Sequence, residues 1–174
     1  MRIGHGYDSH RFGAGRRLVL GGVEIPSEKG LVGHSDADAV AHAVTDALLG
    51  AAALGDIGRH FPPTEERWKD ADSMTLLAEV VELLAAENYQ VVNIDVTVIA
   101  ESPKVGPYAE AMRARISETV GIPLRFVSIK GKTNEGMGWV GAGEGIAVHA
   151  VALIDRVEDQ DTVHARHSPE LPRL

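Results

Sequence analysis

An α/β domain of the α+β kind, a single domain with a mixed β-sheet and helices packed on one face, is what this sequence predicts. Three observations lead there: an N-terminal stretch alternating with period two, three segments of helical periodicity, and β-branched runs that follow the helices. The order of strands, helix, helix, strand, helix, strand, strand fits one layered unit. A chain of 174 residues suits one domain that folds without a covalent staple.

Residues 1 to 8 alternate Ile3, His5 and Tyr7 against Arg2, Gly4, Gly6 and Asp8, which predicts a strand. LVLGGVEIP over 18 to 26 predicts a tight hairpin around Gly21-Gly22. From 36 to 54, Ala37, Val40, Ala41, Val44, Ala47, Leu48, Ala51 and Ala52 recur at helical spacing, with Ser35 placed to cap the helix. Residues 55 to 72 carry Gly55, Gly58 and Pro62-Pro63 and read as a long irregular segment; Asp72 or Ser73 then caps a second helix that runs through Asn88. VVNIDVTVIAE over 91 to 101 is a β-branched strand, and Pro107 opens a third helix that stops near Gly121. LRFVSIKGK over 124 to 132 and EGIAVHAVALI over 144 to 154 complete the sheet. The domain thus spans 1–156, and the polar, Pro-containing tail 157–174 is expected to be disordered, with His164 and His167 solvated.

Composition narrows the chemistry. Cysteine is absent, so any metal must be held by nitrogen and oxygen ligands. A formal charge of −8 without a Lys/Arg-rich run argues against nucleic acid as a partner. No segment has signal-peptide, transit or membrane-span character, so a cytoplasmic protein without a membrane partner is expected. With aromatics at 5%, the core relies on small and aliphatic side chains, which leaves room for sheets to associate closely.

Asp8-Ser9-His10 places two metal-competent side chains two residues apart, and an extended chain turns both to one side of the sheet. His42 lies mid-helix on the face opposite the apolar stripe, between Asp38 and Asp46 one turn away on either side. Taken singly, His42 reads as a surface histidine and Asp8-Ser9-His10 as a turn. Together, a carboxylate and two imidazoles make a three-ligand set with a fourth tetrahedral position open, as in a catalytic zinc site. Asp46 is placed to orient His42 by accepting its second N–H. The segment from Gly33 through His34, Ser35 and Asp36 to Asp38 leads into the helix, whose backbone N–H groups favour an anion. A Gly-rich stretch from Lys130 to Gly145 can wrap phosphates through its backbone, although it lacks the P-loop spacing. Lys104 can meet a phosphate as a point charge, and Asp56 can accept hydrogen bonds from a polyol.

RIGHGYDSHRF, GHSDADAVAHAVTDALLGAAALGDIG, FPPT, NIDVTVIAESPK, the Lys130 to Glu135 string and GAGEGI stand in one order from Met1 to about Asp155. In this the chain resembles the 2-C-methyl-D-erythritol 2,4-cyclodiphosphate synthase family of the non-mevalonate isoprenoid pathway. The resemblance implies a homotrimer with sheets around a central axis and an active site between neighbours. It implies zinc on Asp8, His10 and His42, and magnesium or manganese on the substrate diphosphate, placed by Glu135. The cytidine half of 4-diphosphocytidyl-2-C-methyl-D-erythritol 2-phosphate is then expected against Ala100, Glu101, Ser102, Pro103, Lys104, Val105 and Gly106, and against Gly131, Lys132 and Thr133. His34, Ser35, Asp56, Ile57 and Gly58, with Phe61, Pro62, Pro63, Thr64 and Glu65, match the segments that hold the methylerythritol phosphate. Asp8, His10, Asn134, Glu135, Trp139 and Ala142 complete the implied substrate contacts, and His34, Thr133 and Asp56 take the catalytic positions. The implied products are CMP and a cyclic diphosphate.

Three departures stand out. Ala142 replaces a frequent arginine tied to prenyl diphosphate binding at the trimer axis, although Glu144 remains. Pro63 replaces a frequent Asp, and Lys132 a frequent Thr. From the residues alone, a metal-dependent phosphohydrolase with water as nucleophile shares the same metal set. A purely structural zinc would need a fourth protein ligand, and the sequence offers no obvious one.

Overall fold

Strand β1 (Arg2–Ala14) organises the molecule, because its two faces meet different surroundings. The computed structural model describes residues 1 to 157; the expectations for residues 158 to 174, including His164 and His167, lie outside the described residues. β1 pairs antiparallel with β7 (Gly145–Arg156), and β7 with β5 (Tyr89–Ile99), while β5 runs parallel to β6 (Val127–Lys132). With the short β4 (Lys29–Leu31) on the far edge of β1, the sheet order is β4-β1-β7-β5-β6. The mixed sheet expected from the sequence is therefore present.

The hairpin forms as anticipated from β2 (Leu18–Leu20) and β3 (Val23–Ile25). Gly21 and Gly22 take φ of 56° and 71°, the left-handed pair that a two-residue turn between twisted strands requires. Helix α1 (Ala39–Ala52) lies over β1 and β7, and α3 (Ser73–Ala86) packs on α1. Between them, α2 (Ile57–His60) and a 3-10 turn at Glu66–Trp68 structure the segment that the sequence marks as irregular. Helix α4 (Ala109–Val120) covers β6 after a 3-10 turn that contains Pro107, and Gly121 ends it with φ 76°. A second short helix, α5 (Gly138–Gly141), precedes β7.

Close approach of α1 to β1 explains the glycines of the first strand. A Cβ on Gly4 would stand 1.9 Å from the Ala47 carbonyl oxygen, and one on Gly6 would stand 1.9 Å from that of Ala43. Helix backbone thus rests directly on strand backbone, with the small side chains of Ala43, Ala47 and Ala51 along the seam. The other face of β1 carries Ile3 at 71% exposure and Tyr7 at 47%, and among the described residues no helix covers it.

Two expectations about α1 are corrected. Its N-cap is Asp38, not Ser35, and the helix begins three residues later than the periodicity suggests. Asp38 is fully buried; its carboxylate accepts from Val40 and Ala41 in the first turn and from Gly21 and Gly22 in the hairpin. Burial pushes its pKa up, and the donors from Ala41, Gly22 and Gly21 oppose that shift. Nor is the face of α1 that carries Asp38, His42 and Asp46 turned to solvent, as a surface histidine would require. α1 is enclosed by the sheet on one side and α3 on another, so His42 points into a recess beside β1 rather than into water.

Candidate metal centre and flanking cavities

Period-two alternation along β1 turns Asp8 and His10 toward α1 while Ser9 stays exposed, as the spacing predicts. His42, one residue before the Ala43 that rests on Gly6, descends onto the same spot. Asp8 Oδ2 lies 2.9 Å from His10 Nδ1 and 3.2 Å from His42 Nδ1, and the His10 and His42 ring centroids are 5.3 Å apart. Among the described residues these three form the group able to hold a metal ion, with donor atoms all within 4.8 Å of one another.

Two features fit the group to a divalent cation that accepts nitrogen and oxygen. His10 Nδ1 is buried and, though near Asp8, is not aligned with any hydrogen-bond partner, as a lone pair aimed at an ion would be. Burial raises the Asp8 carboxyl, yet the His10 and His42 imidazoles outweigh it and hold the pKa at about 2, so the carboxylate is ionised. Burial pulls His42 down, but the Asp8 carboxylate prevails and leaves its pKa raised.

The partner of the second His42 nitrogen is one that sequence reasoning missed. Nε2 lies 2.9 Å from Ser73 Oγ and 3.1 Å from Ser35 Oγ. Ser73 in turn donates to Asp36 through its hydroxyl and, at 3.2 Å, through its backbone N–H. Asp46 does not orient His42; its carboxylate accepts the Ile57 N–H at 2.8 Å and so anchors α2. At the start of α1 the Val40 and Ala41 N–H groups are taken by Asp38 and so are not offered to an anion.

A cavity of about 230 Å³ opens beside the metal group. His34, Ser35, Ile57, Gly58, Phe61 and Pro63 line it together with His10 and His42, which gathers most of the first substrate segment. Trp68 and Leu76, not singled out from the sequence, complete its apolar wall, with Trp68 edge-on to Phe61 at 5.0 Å. Pro62, Thr64 and Glu65 are not among its lining residues; Glu65 pairs with Arg67 at 2.6 Å. Asp56 caps α2 by accepting the Arg59 N–H at 2.9 Å.

A second cleft, about 330 Å³, lies at the end of β5 and β6. Ala100, Lys104, Val105, Gly106, Gly131, Lys132 and Thr133 line it, along with Pro107. Ser102 and Pro103 lie in the connecting loop outside the lining set, and Glu101 serves the fold by accepting the N–H groups of Asn134 and Gly136 at 2.9 and 3.2 Å. Those two N–H groups of the Gly-rich segment are therefore not available to phosphates. Thr133 Oγ1 donates to Glu135 at 2.8 Å, presenting an exposed carboxylate at the mouth of the cleft. Trp139 lines a shallow hollow of about 210 Å³ with Ser9, His10, Arg11 and Glu144, while Ala142 is exposed at the end of α5. The recess beside the metal group and the cleft at the end of β5 and β6 share no lining residue.

A partly buried group able to hold a metal on a glycine-seated strand, with a largely apolar recess on one side and a Gly/Lys cleft on the same sheet, defines a class of small α/β domain with a candidate metal centre. The YgbB family model matches residues 1–155, and the chain belongs to that family. It is 64% identical to the 2-C-methyl-D-erythritol 2,4-cyclodiphosphate synthase of Symbiobacterium thermophilum over 154 residues, covering 88% of this chain and 98% of that one. It is 57% identical to the synthase of the same name from Neisseria gonorrhoeae, covering 90% and 98%. A solved structure of such a synthase in a CDP-bound form superposes with a TM-score of 0.81 at 40% identity, covering 88% of this chain and 100% of that chain.

Proposed function

We propose that this chain converts 4-diphosphocytidyl-2-C-methyl-D-erythritol 2-phosphate into 2-C-methyl-D-erythritol 2,4-cyclodiphosphate and CMP, as a cytoplasmic homotrimer. The observation that carries the reading is the Asp8–His10–His42 group beside an open recess, in a chain matched by synthases of that name over nearly their whole length. In the reaction the 2-phosphate oxygen bonds to the β-phosphorus while the bond from that phosphorus to the CMP oxygen breaks, and CMP leaves with the electron pair. No water is consumed.

Both attacker and target are anionic, so repulsion dominates the barrier. Asp8, His10 and His42 are the residues that would hold zinc and Glu135 the one that would hold magnesium, and such cations supply charge neutralisation on phosphate oxygens. The chain's own groups do the positioning. Ser73 and Ser35 fix the far nitrogen of His42, so its near nitrogen stays on Asp8. His34 and Ser35 face the recess, and Ile57 and Gly58 are held there by Asp46. Phe61, Pro63, Trp68 and Leu76 exclude water from one wall, which keeps the intramolecular attack ahead of hydrolysis. The second cleft accepts the cytidine half, with Lys104 and Lys132 supplying positive charge and Thr133 a hydroxyl.

Trimer formation is supported by two features of the single chain. The recess and the nucleotide cleft share no lining residue, which fits a site completed by a neighbouring copy. Among the described residues no helix covers the sheet face bearing Ile3 and Tyr7, which suits packing around an axis. Among the described residues no helix is long and apolar enough to cross a membrane.

Product identity in isotopically labelled water, with and without chelator, is the deciding experiment. CMP and an unlabelled cyclic diphosphate are expected, with turnover lost on chelation and restored by zinc. A linear phosphate carrying the label would instead establish hydrolysis.

A further inference from the structure

The sheet face turned away from α1 carries a second pair of imidazoles. His5 on β1 and His149 on β7 are both exposed. The strand register pairs His5 with Val151 and Tyr7 with His149, so the two histidines lie diagonally across one ladder. Their ring centroids are 5.4 Å apart at an interplanar angle of 32°, with His5 Nε2 3.1 Å from His149 Nδ1. The Tyr7 ring stands 5.0 Å from the His149 ring and limits its rotation. Alternation along β1 puts His5 and Tyr7 on the face opposite Asp8 and His10, so this pair is separate from the metal centre described above.

We propose that His5 and His149 form a second cation site, a two-nitrogen chelate for a late first-row divalent metal such as nickel, copper or zinc. The argument is bite distance. Metal–nitrogen bonds of about 2.0 to 2.1 Å place two adjacent ligand nitrogens roughly 2.9 to 3.4 Å apart, for angles between about 90° and 109°. The observed 3.1 Å falls inside that window without movement of either strand. A neutral imidazole carries one lone pair, on whichever nitrogen lacks hydrogen. With Nδ1–H on His5 and Nε2–H on His149, both lone pairs face the gap, so a tautomer exchange opens the site and no proton is released. Without an ion the same pair closes on one N–H···N hydrogen bond.

Imidazole donors select this metal class and not magnesium or calcium, which require oxygen. Water fills the remaining coordination positions of the chelate in a single chain. The site does not depend on which reaction the synthase reading assigns, but it lies on the sheet face that the proposed trimer turns to its axis, so the titration is run on the assembled protein and the oligomeric state of both variants is read alongside it.

The experiment is a calorimetric titration of the full chain, loaded with one zinc per chain, with nickel chloride near neutral pH. The wild-type protein is expected to bind nickel in a micromolar step. His149→Gln and His5→Gln should each weaken that step at least tenfold while zinc content and CMP formation stay at wild-type levels, which verifies that the variants fold. Superimposable nickel isotherms for wild type and both variants, or a wild-type chain without a nickel step, overturn the proposal. CMP formation is read in the same samples, so failure of the synthase reading shows as missing turnover and leaves the nickel result to stand by itself.

Discussion

Replacing Gly6 by alanine probes how the metal centre is held. The new Cβ would lie 1.9 Å from the Ala43 carbonyl oxygen, 2.8 Å from the Ala47 nitrogen and 2.9 Å from the Ala43 carbonyl carbon. All three are backbone atoms of α1 and cannot rotate aside, so the helix must rise by about 1.5 Å to reach ordinary contact. Overpacking of this kind costs about 1 to 3 kcal/mol, which for a chain of this length lowers Tm by roughly 2 to 12 °C. His42 moves with α1 while Asp8 and His10 stay on β1. The 3.2 Å contact between Asp8 and His42 then opens by on the order of 1 Å, whereas metal sites tolerate departures of only about 0.2 Å. A displacement of that size also lowers turnover by about 10²-fold. The assay is zinc content after dialysis, with Tm and CMP formation measured on the same preparation. Gly50→Ala is the control: it lies in the same helix with nothing within 4 Å of the added carbon and should stabilise by up to about 1 kcal/mol. If Gly6→Ala keeps full zinc and a wild-type Tm, the argument that strand and helix backbones set the ligand geometry is wrong.

Other perturbations follow from the same structure. Asp8→Ala or His42→Ala should abolish both zinc retention and CMP formation, and metal analysis showing full occupancy in either variant would contradict the ligand assignment. Asp38→Ala strands four backbone N–H groups at the start of α1 and in the β2–β3 turn, so a loss of about 3 kcal/mol or more is expected in urea unfolding. A midpoint equal to wild type would show that water or another group takes over the cap. Glu135→Gln should weaken the magnesium dependence of turnover more than the zinc content, and an unchanged magnesium titration counts against its role. In the metal-free protein, the folded Asp8 pKa of about 2 lies below 3.8, so its stabilisation is present above about pH 4 and lost as pH falls toward 2. His42 is raised above 6.5, so its contribution is complete below that value and lost as pH rises through the folded pKa. Unfolding midpoints across pH should therefore peak between these limits, and midpoints rising steadily with pH would refute the pairing.

Local patterns carried much of the fold. The Gly21-Gly22 turn and the periodicity of α1, α3 and α4 are short-range signals, and each element forms where they place it to within a few residues, whereas the alternation over residues 1 to 8 finds β1 but not its continuation through Asp8-Ser9-His10 to Ala14. The elements without such a signal are β4, α2 and α5, three or four residues long and set by tertiary contacts. Cap choice failed for a related reason. Ser35, Asp36 and Asp38 are all competent caps, and Asp38 is selected because it also serves Gly21 and Gly22, which lie 17 and 16 residues away. At the site, period two shows that Asp8 and His10 share a face, but Ser73 as the partner of His42 depends on how α3 packs and leaves no trace in its own neighbourhood. Gly4 and Gly6 are visible as members of an alternation, while their need to admit helix backbone is a property of the packed layers.

That seating has a further consequence for how the ion is acquired. Because α1 can settle only where β1 lacks side chains, its position along the strand is indexed to Gly4 and Gly6, and a shift by one turn would drive carbonyls into Arg2 or Asp8. The three donors are thus brought into register by the polypeptide alone, before any cation arrives. A cation held there as proposed would enter a preformed socket, so its uptake would be governed by access through the recess and not by refolding.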